Sequence, residues 1–188
     1  MNFFRAILVW PFIKFSNSYS FIVQDIERAI EYGKPSIPGM KFKSTFDKFN
    51  KLTSKDRSIR NIIFFRLKSD SKLKSILFLI LFPIKNDLEI QGQIGGGLQI
   101  SHGHGTVVLV KSAGYNLTLW QGVTIGKNQG GCPTIGNNVK IYTNSVVCGD
   151  ILIGNNVSIA AGTVVMRDIP DDSLVFGNPC IIKQKPGR

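Results

Sequence analysis

With 188 residues, 43% of them hydrophobic, the chain has enough apolar material for one or two small packed domains. Its formal charge of +11 is unevenly held: residues 1 to 86 contain 16 Lys and Arg against 6 Asp and Glu, a net of +10, whereas residues 87 to 188 contain 7 against 6, a net of +1. The basic residues are dispersed and no nucleic-acid motif accompanies them, so no nucleic-acid partner is expected; a solvated helical surface or attraction to an anionic membrane or phosphorylated substrate remains.

Met1 to Phe15 is apolar with one early Arg, as at the start of a signal peptide, but Pro11 and Lys14 interrupt it and no small-residue cleavage site follows. Tyr19 to Tyr32 reads as a helix: Phe21, Ile22, Ile26, Ala29 and Ile30 share a face, Asp25, Glu27 and Arg28 lie mainly opposite, and Gly33 and Pro35 end it. A turn over Ser36 to Gly39 and a short amphipathic helix over Thr45 to Leu52 follow. Two more helices are expected over Arg57 to Leu67 and Leu73 to Phe82, the second stopped by Pro83. The apolar run Ser75 to Ile84 is too short to span a bilayer, and no transmembrane helix is expected. Residues 1 to 86 thus read as an α-helical region, and the composition changes near Asn86.

Beyond it the period changes. Ile135, Ile141, Val147, Ile153, Ile159 and Val165 recur every six positions, which suits a chain that turns a corner every six residues. A helix would show a 3.6-residue period, and a long strand would place apolar residues two after each repeat start, where Asn137, Thr143, Gly149, Asn155, Ala161 and Arg167 stand. The fifth position of each block is again small or aliphatic, so two residues in six point inward. Backward, Ile125, Leu119, Ala113 and Val107 keep the step. Lys127 to Thr134 reads as a loop leaving the coil, with turn chemistry from Gly130, Gly131 and Pro133. Ile94 and Ile100 share their own six-residue step, and Val107 lies seven after Ile100, so one extra residue is expected near His102 to Thr106. The fold class is α+β: an α-helical region over 1–86, then a hexapeptide β-helix with a C-terminal tail over 87–188.

The two histidines, His102 and His104, stand in that slip, flanked by glycines. A neutral imidazole suits proton abstraction near neutral pH, and the glycines let a substrate approach the backbone. Asp87 precedes His102 by fifteen residues in a solenoid whose coil takes about eighteen, so the two are candidate neighbours, the carboxylate fixing the imidazole tautomer. On spacing alone Asp87 is equally a turn residue after Pro83. Two histidines one residue apart also resemble half a metal site, but no spaced third and fourth ligands appear and no metal is expected. Cys132, Cys148 and Cys180 form no CxxC pair, and their odd number fits a reduced, cytoplasmic chain.

His102-Gly-His-Gly-Thr-Val-Val108, Val123-Thr-Ile-Gly126, Cys132-Pro-Thr-Ile-Gly136, Ile159-Ala-Ala-Gly-Thr-Val-Val165 and Val175-Phe-Gly-Asn-Pro179 together resemble the serine O-acetyltransferase branch of the hexapeptide acyltransferases, over roughly Asp87 to Lys183. The resemblance implies a left-handed parallel β-helix, a homotrimer and acetyl-CoA in the groove between adjacent subunits. It matches His102 to the general base and Asp87 to its partner carboxylate. Gly126, Lys127, Thr143, Ala161 and Gly162 match positions lining the acetyl-CoA groove. Lys183, with Lys185 and Arg188, is a candidate for the CoA phosphates or belongs to a solvated tail.

Two departures bear on the acceptor. Serine acetyltransferases have an aspartate where Ser101 stands and an Arg-His pair where Gly131-Cys132 stands, and those charges would hold an amino acid's ammonium and carboxylate. With Ser101 and Cys132 at acceptor positions, the chain resembles the acetyltransferases of surface-polysaccharide synthesis, including the colanic acid type. The expected acceptor is a sugar hydroxyl, a lipid-linked sugar giving the basic half a reason to approach a membrane. L-serine, an amino-sugar nitrogen, and a non-catalytic trimerising β-helix are the alternatives.

Overall fold

The computed structural model describes residues 2–33 and 41–185; the turn expected over Ser36 to Gly39, the stop at Pro35 and the terminal Arg188 lie outside the described residues. The chain divides into two compact units, Met1–Lys85 and Asn86–Arg188.

The first unit holds five helices, α1 (Asn2–Lys14), α2 (Tyr19–Gly33), α3 (Thr45–Lys55), α4 (Arg57–Asp70) and α5 (Lys72–Leu81). Short polar residues cut the last three apart. Ser44 caps α3 by accepting from Asp47 N, Asp56 caps α4 by accepting from Ser58 N, and Ser71 caps α5 by accepting from Lys74 N. Apolar side chains one turn apart meet in the middle, among them Val9, Ile22, Ile26, Phe49, Ile63, Leu67 and Phe78, all essentially without solvent exposure. A buried ion pair joins α2 to α4: Arg66 Nε and Nη2 donate to Asp25 Oδ2 and Oδ1 at 2.9 and 3.1 Å. α1 has no counterpart among the sequence expectations. It runs through Pro11, whose carbonyl accepts from Phe15 N at 3.0 Å.

The second unit is a parallel β-solenoid of about 5 turns. Its strands are β1 (Leu88–Ile94), β2 (Gln99–Ile100), β3 (Thr106–Ala113), β4 (Thr118–Leu119), β5 (Thr124–Gly126), β6 (Thr134–Ile135), β7 (Lys140–Ile141), β8 (Val146–Cys148), β9 (Leu152–Ile153), β10 (Ser158–Ile159), β11 (Val164–Val165), β12 (Ser173–Phe176) and β13 (Ile181–Gln184). Like residues stack coil on coil. Ile100 pairs in turn with Leu119, Ile141, Ile159 and Val175 down one face, and Ala113 with Ile135 and Ile153 down another. β3, continuous over two faces, joins the strands of the second and third faces into one sheet. The six repeat starts from Ile135 to Val165 are all buried, as the six-residue frame requires. At the fifth position Val139, Ser145, Val157, Thr163 and Ile169 are buried, whereas Ile151 is half-buried. The loop after β5 ends where β6 begins at Thr134, close to the expected bounds.

One phase needs correction. Val107 is 37% exposed and the inward residue is Val108, which pairs with Ile125. The turn at the histidines therefore takes in two extra residues, not one. Thr106 occupies the buried position instead, its hydroxyl accepting from Gly122 N at 3.1 Å and donating to His104 O at 3.3 Å.

Corners are set by asparagines in the left-handed region. Asn116, Asn138, Asn156 and Asp172 have φ of 61°, 57°, 57° and 55°, and each amide nitrogen donates to the next side-chain oxygen at 2.9, 3.2 and 2.9 Å. Asn and Asp tolerate this conformation and satisfy each other's amides, which fixes the coil register.

Candidate active site

One corner of the solenoid collects most of the candidate residues. Coil by coil it consists of Ser101 to Gly105, Trp120 to Gly122, Tyr142 to Asn144 and Ala160 to Gly162, stacked through Gly122 N to His104 O (2.8 Å), Asn144 N to Gln121 O (3.2 Å) and Gly162 N to Thr143 O (2.9 Å). Ser101 N donates to Leu119 O in the same column. Ser101, His102, Thr143, Ala161 and Gly162 thus share one edge, and Asp87 joins them because its carbonyl accepts from Thr106 N at 3.1 Å.

Asp87 Oδ2 lies 3.1 Å from His104 Nδ1 and accepts from Gly105 N at 3.3 Å. This contact was not among the sequence expectations, which set Asp87 beside His102. Register brings Asp87 and His104 together, since His104 and Gly105 follow Asp87 by 17 and 18 residues, one full coil. The His104 hydrogen bond, assisted by the Gly105 N–H, holds the Asp87 carboxyl below the usual carboxylate range against a smaller opposing effect of desolvation. An ionised carboxylate only accepts, so Nδ1 carries the hydrogen and the lone pair of a neutral His104 ring lies on Nε2. His104 and Asp87 are both well exposed, with side chains 70% and 50% accessible. His102, also exposed, has φ +63°, a left-handed backbone uncommon for a side chain of its size.

Below the histidines the edge presents small groups. A Cβ added at Gly105 or Gly162, whose φ values are +58° and +69°, would meet nothing within 4 Å. Thr143 and Ala161 stand beside these glycines on the same edge. Gly126, Lys127 and Cys132 lie at the next corner, at the other end of β5 and in the loop that follows. There Gly126 O accepts from Gly149 N at 3.2 Å and Lys127 O from Cys148 Sγ at 3.5 Å. Lys183 sits exposed on β13, opposite Leu174. Lys185 donates to Ser158 Oγ at 3.0 Å and to Asn156 O, so it is tied to the coil. Among the described residues, no group of three or more His, Cys, Asp or Glu is placed to hold a metal ion. All three cysteines are free.

Sequence reasoning missed an aromatic pair at this edge. Trp120 and Tyr142, next to each other in the column below Ser101, stack with ring centroids 4.4 Å apart and planes 18° apart, and Tyr142 is 37% exposed. Their signal was available: each follows an inward repeat residue, Leu119 and Ile141, at the same corner offset as Ser101 follows Ile100.

Residues 132–167 match the bacterial transferase hexapeptide family (six repeats). The chain is 39% identical over 116 residues to a putative colanic acid biosynthesis acetyltransferase of Escherichia coli strain K12, spanning 57% of this chain and 70% of that protein. It is 41% identical over 101 residues to a serine acetyltransferase of Staphylococcus epidermidis, covering 51% of this chain and 47% of the relative. Its fold matches the crystal structure of Neisseria gonorrhoeae serine acetyltransferase in complex with serine with a TM-score of 0.63 at 25% identity, over 88% of this chain and 70% of that one. A stacked parallel coil, its repeat family and a relative aligned over more than two thirds of its length agree: the chain belongs to the hexapeptide-repeat acyltransferases, in their serine acetyltransferase-like branch.

Proposed function

We propose that the protein is an acetyl-CoA-dependent O-acetyltransferase whose acceptor is a sugar hydroxyl in surface-polysaccharide synthesis. The observation that carries the reading is the imidazole-bearing corner, with a carboxylate held against one ring and an open, small-residue edge beneath it. Acetyl-CoA supplies the activated acetyl thioester. The imidazole takes the proton of the acceptor hydroxyl as its oxygen attacks the carbonyl, backbone N–H groups steady the oxyanion, and the thiolate leaves. Two corners of one chain carry the cofactor candidates, so the reading includes a homotrimer in which one protomer's histidine edge faces its neighbour's Gly126–Lys127 corner. Cytoplasmic placement is part of the proposal, since the acyl donor is cytoplasmic.

A sugar is favoured over L-serine by the uncharged Ser101 and Cys132 and by the Trp120–Tyr142 stack, whose face suits the C–H face of a pyranose. Acetyl transfer assayed against L-serine and against nucleotide- and lipid-linked sugars, by release of free CoA thiol, tests this; turnover with L-serine alone would reverse it. The base is His102 by the family pattern. A second reading gives it to His104 and rests on the 3.1 Å contact with Asp87. His102→Ala should cost about 10²–10⁴-fold in kcat and His104→Ala far less; the opposite order assigns the base to His104, and full activity in both variants removes acid–base catalysis from this turn.

A further inference from the structure

α1 and α5 each turn an uncommonly apolar face out of their unit. Phe3, Phe4 and Leu8 of the first, Phe15 just past its end, and Leu73 and Ile80 of the second are between 52% and 78% exposed, while Ala6, Val9, Ile13 and Phe78 on the opposite faces are fully buried. The helices pack on each other, and Lys74 of α5 donates to Phe15 O just past the end of α1 at 3.2 Å, so the two stripes are neighbours. Contiguous apolar surface of this kind marks an interaction site.

Charge selects the occupant. The stripes belong to the half of the chain that holds the net charge of +10, with Arg5 and Lys14 on α1 and Lys72 on α5, whereas Lys74 is paired with Asp70 at 2.8 Å. A second copy would bring like charge to like charge, whereas an anionic lipid surface offers apolar depth and the opposite sign together. α1 has 13 residues and α5 has 10, and among the described residues no helix is long and apolar enough to cross a membrane, so these helices would lie in the interface. We infer that the outer faces of α1 and α5 dock the protein on the surface of an anionic bilayer, with the flanking Lys and Arg side chains at headgroup level.

The inference goes beyond the catalytic reading and does not depend on it, and its test involves no acetyl transfer. The full chain is sedimented with vesicles of phosphatidylglycerol and phosphatidylcholine and with vesicles of phosphatidylcholine alone. It should pellet with the first and far less with the second. A Phe4→Ser, Phe15→Ser, Ile80→Ser variant should lose about tenfold or more in apparent affinity with an unchanged circular dichroism spectrum and melting temperature. A Leu8→Ser, Leu73→Ser variant should show the same loss. Failure of the unaltered chain to pellet with the anionic vesicles, or pelleting unchanged in both variants, overturns the inference. So does a variant assembly smaller than that of the unaltered chain by light scattering, because the faces then bind a second copy.

Discussion

Tyr142 brings a partly exposed aromatic ring to the candidate site. The residue shares the histidine edge, stands one coil below Trp120 and has Ala160 and Ala161 on the coil beyond. If a pyranose rests there, Tyr142→Ala should raise KM for the sugar acceptor about five- to tenfold, the equivalent of roughly 1 kcal/mol of stacking, and leave KM for acetyl-CoA nearly unchanged. Steady-state kinetics with each substrate varied in turn would check it. The Asp87 contact shows how far a sequence carries a site at this scale. The presence of a carboxylate beside an imidazole was legible from the length of a coil. The contact with His104 was not, because it arises inside a glycine-rich turn, where φ values of +63°, +60° and +58° at His102, Gly103 and Gly105 compress the path.

At the scale of elements, legibility followed periodicity. Blocks from Ile135 to Val165 were readable because each repeat start is aliphatic and buried and one corner repeats its polar residues at an 18-residue spacing, as Asn137 and Asn155 do. The frame misled at Val107, where two adjacent valines both satisfy an aliphatic pattern and only the buried Thr106 hydroxyl decides which faces inward. α1 escaped notice for the opposite reason: apolar on nearly every side and interrupted by Pro11, it carries almost no 3.6-residue contrast. The ion pair between α2 and α4 was equally hidden, since Asp25 reads as a solvent-face residue yet is fully buried against Arg66. Asp25→Ala strands that guanidinium among Phe21, Phe65 and the core, and should lower the stability of the helical unit by about 3–5 kcal/mol, measured as a shift in the urea midpoint.

For the molecule as a whole, the division of labour between a basic helical unit and a near-neutral coil was visible in the charge count, because composition records it without any register. What composition leaves silent is how a stack of identical coils comes to a halt. Each ladder between named strands of the solenoid is parallel except the last, where β13 folds back antiparallel along β12 from Ser173 to Phe176. Without that reversal β12 would offer a bare row of N–H and C=O groups on its face of the last coil, in the geometry that each coil presents to the next, a template for head-to-tail growth between molecules. Removing residues from Cys180 onward should therefore convert discrete particles into elongated fibres by electron microscopy, with a thioflavin response that the full chain lacks. The fold-back of β13 thus occupies the β12 edge that a further coil would otherwise take.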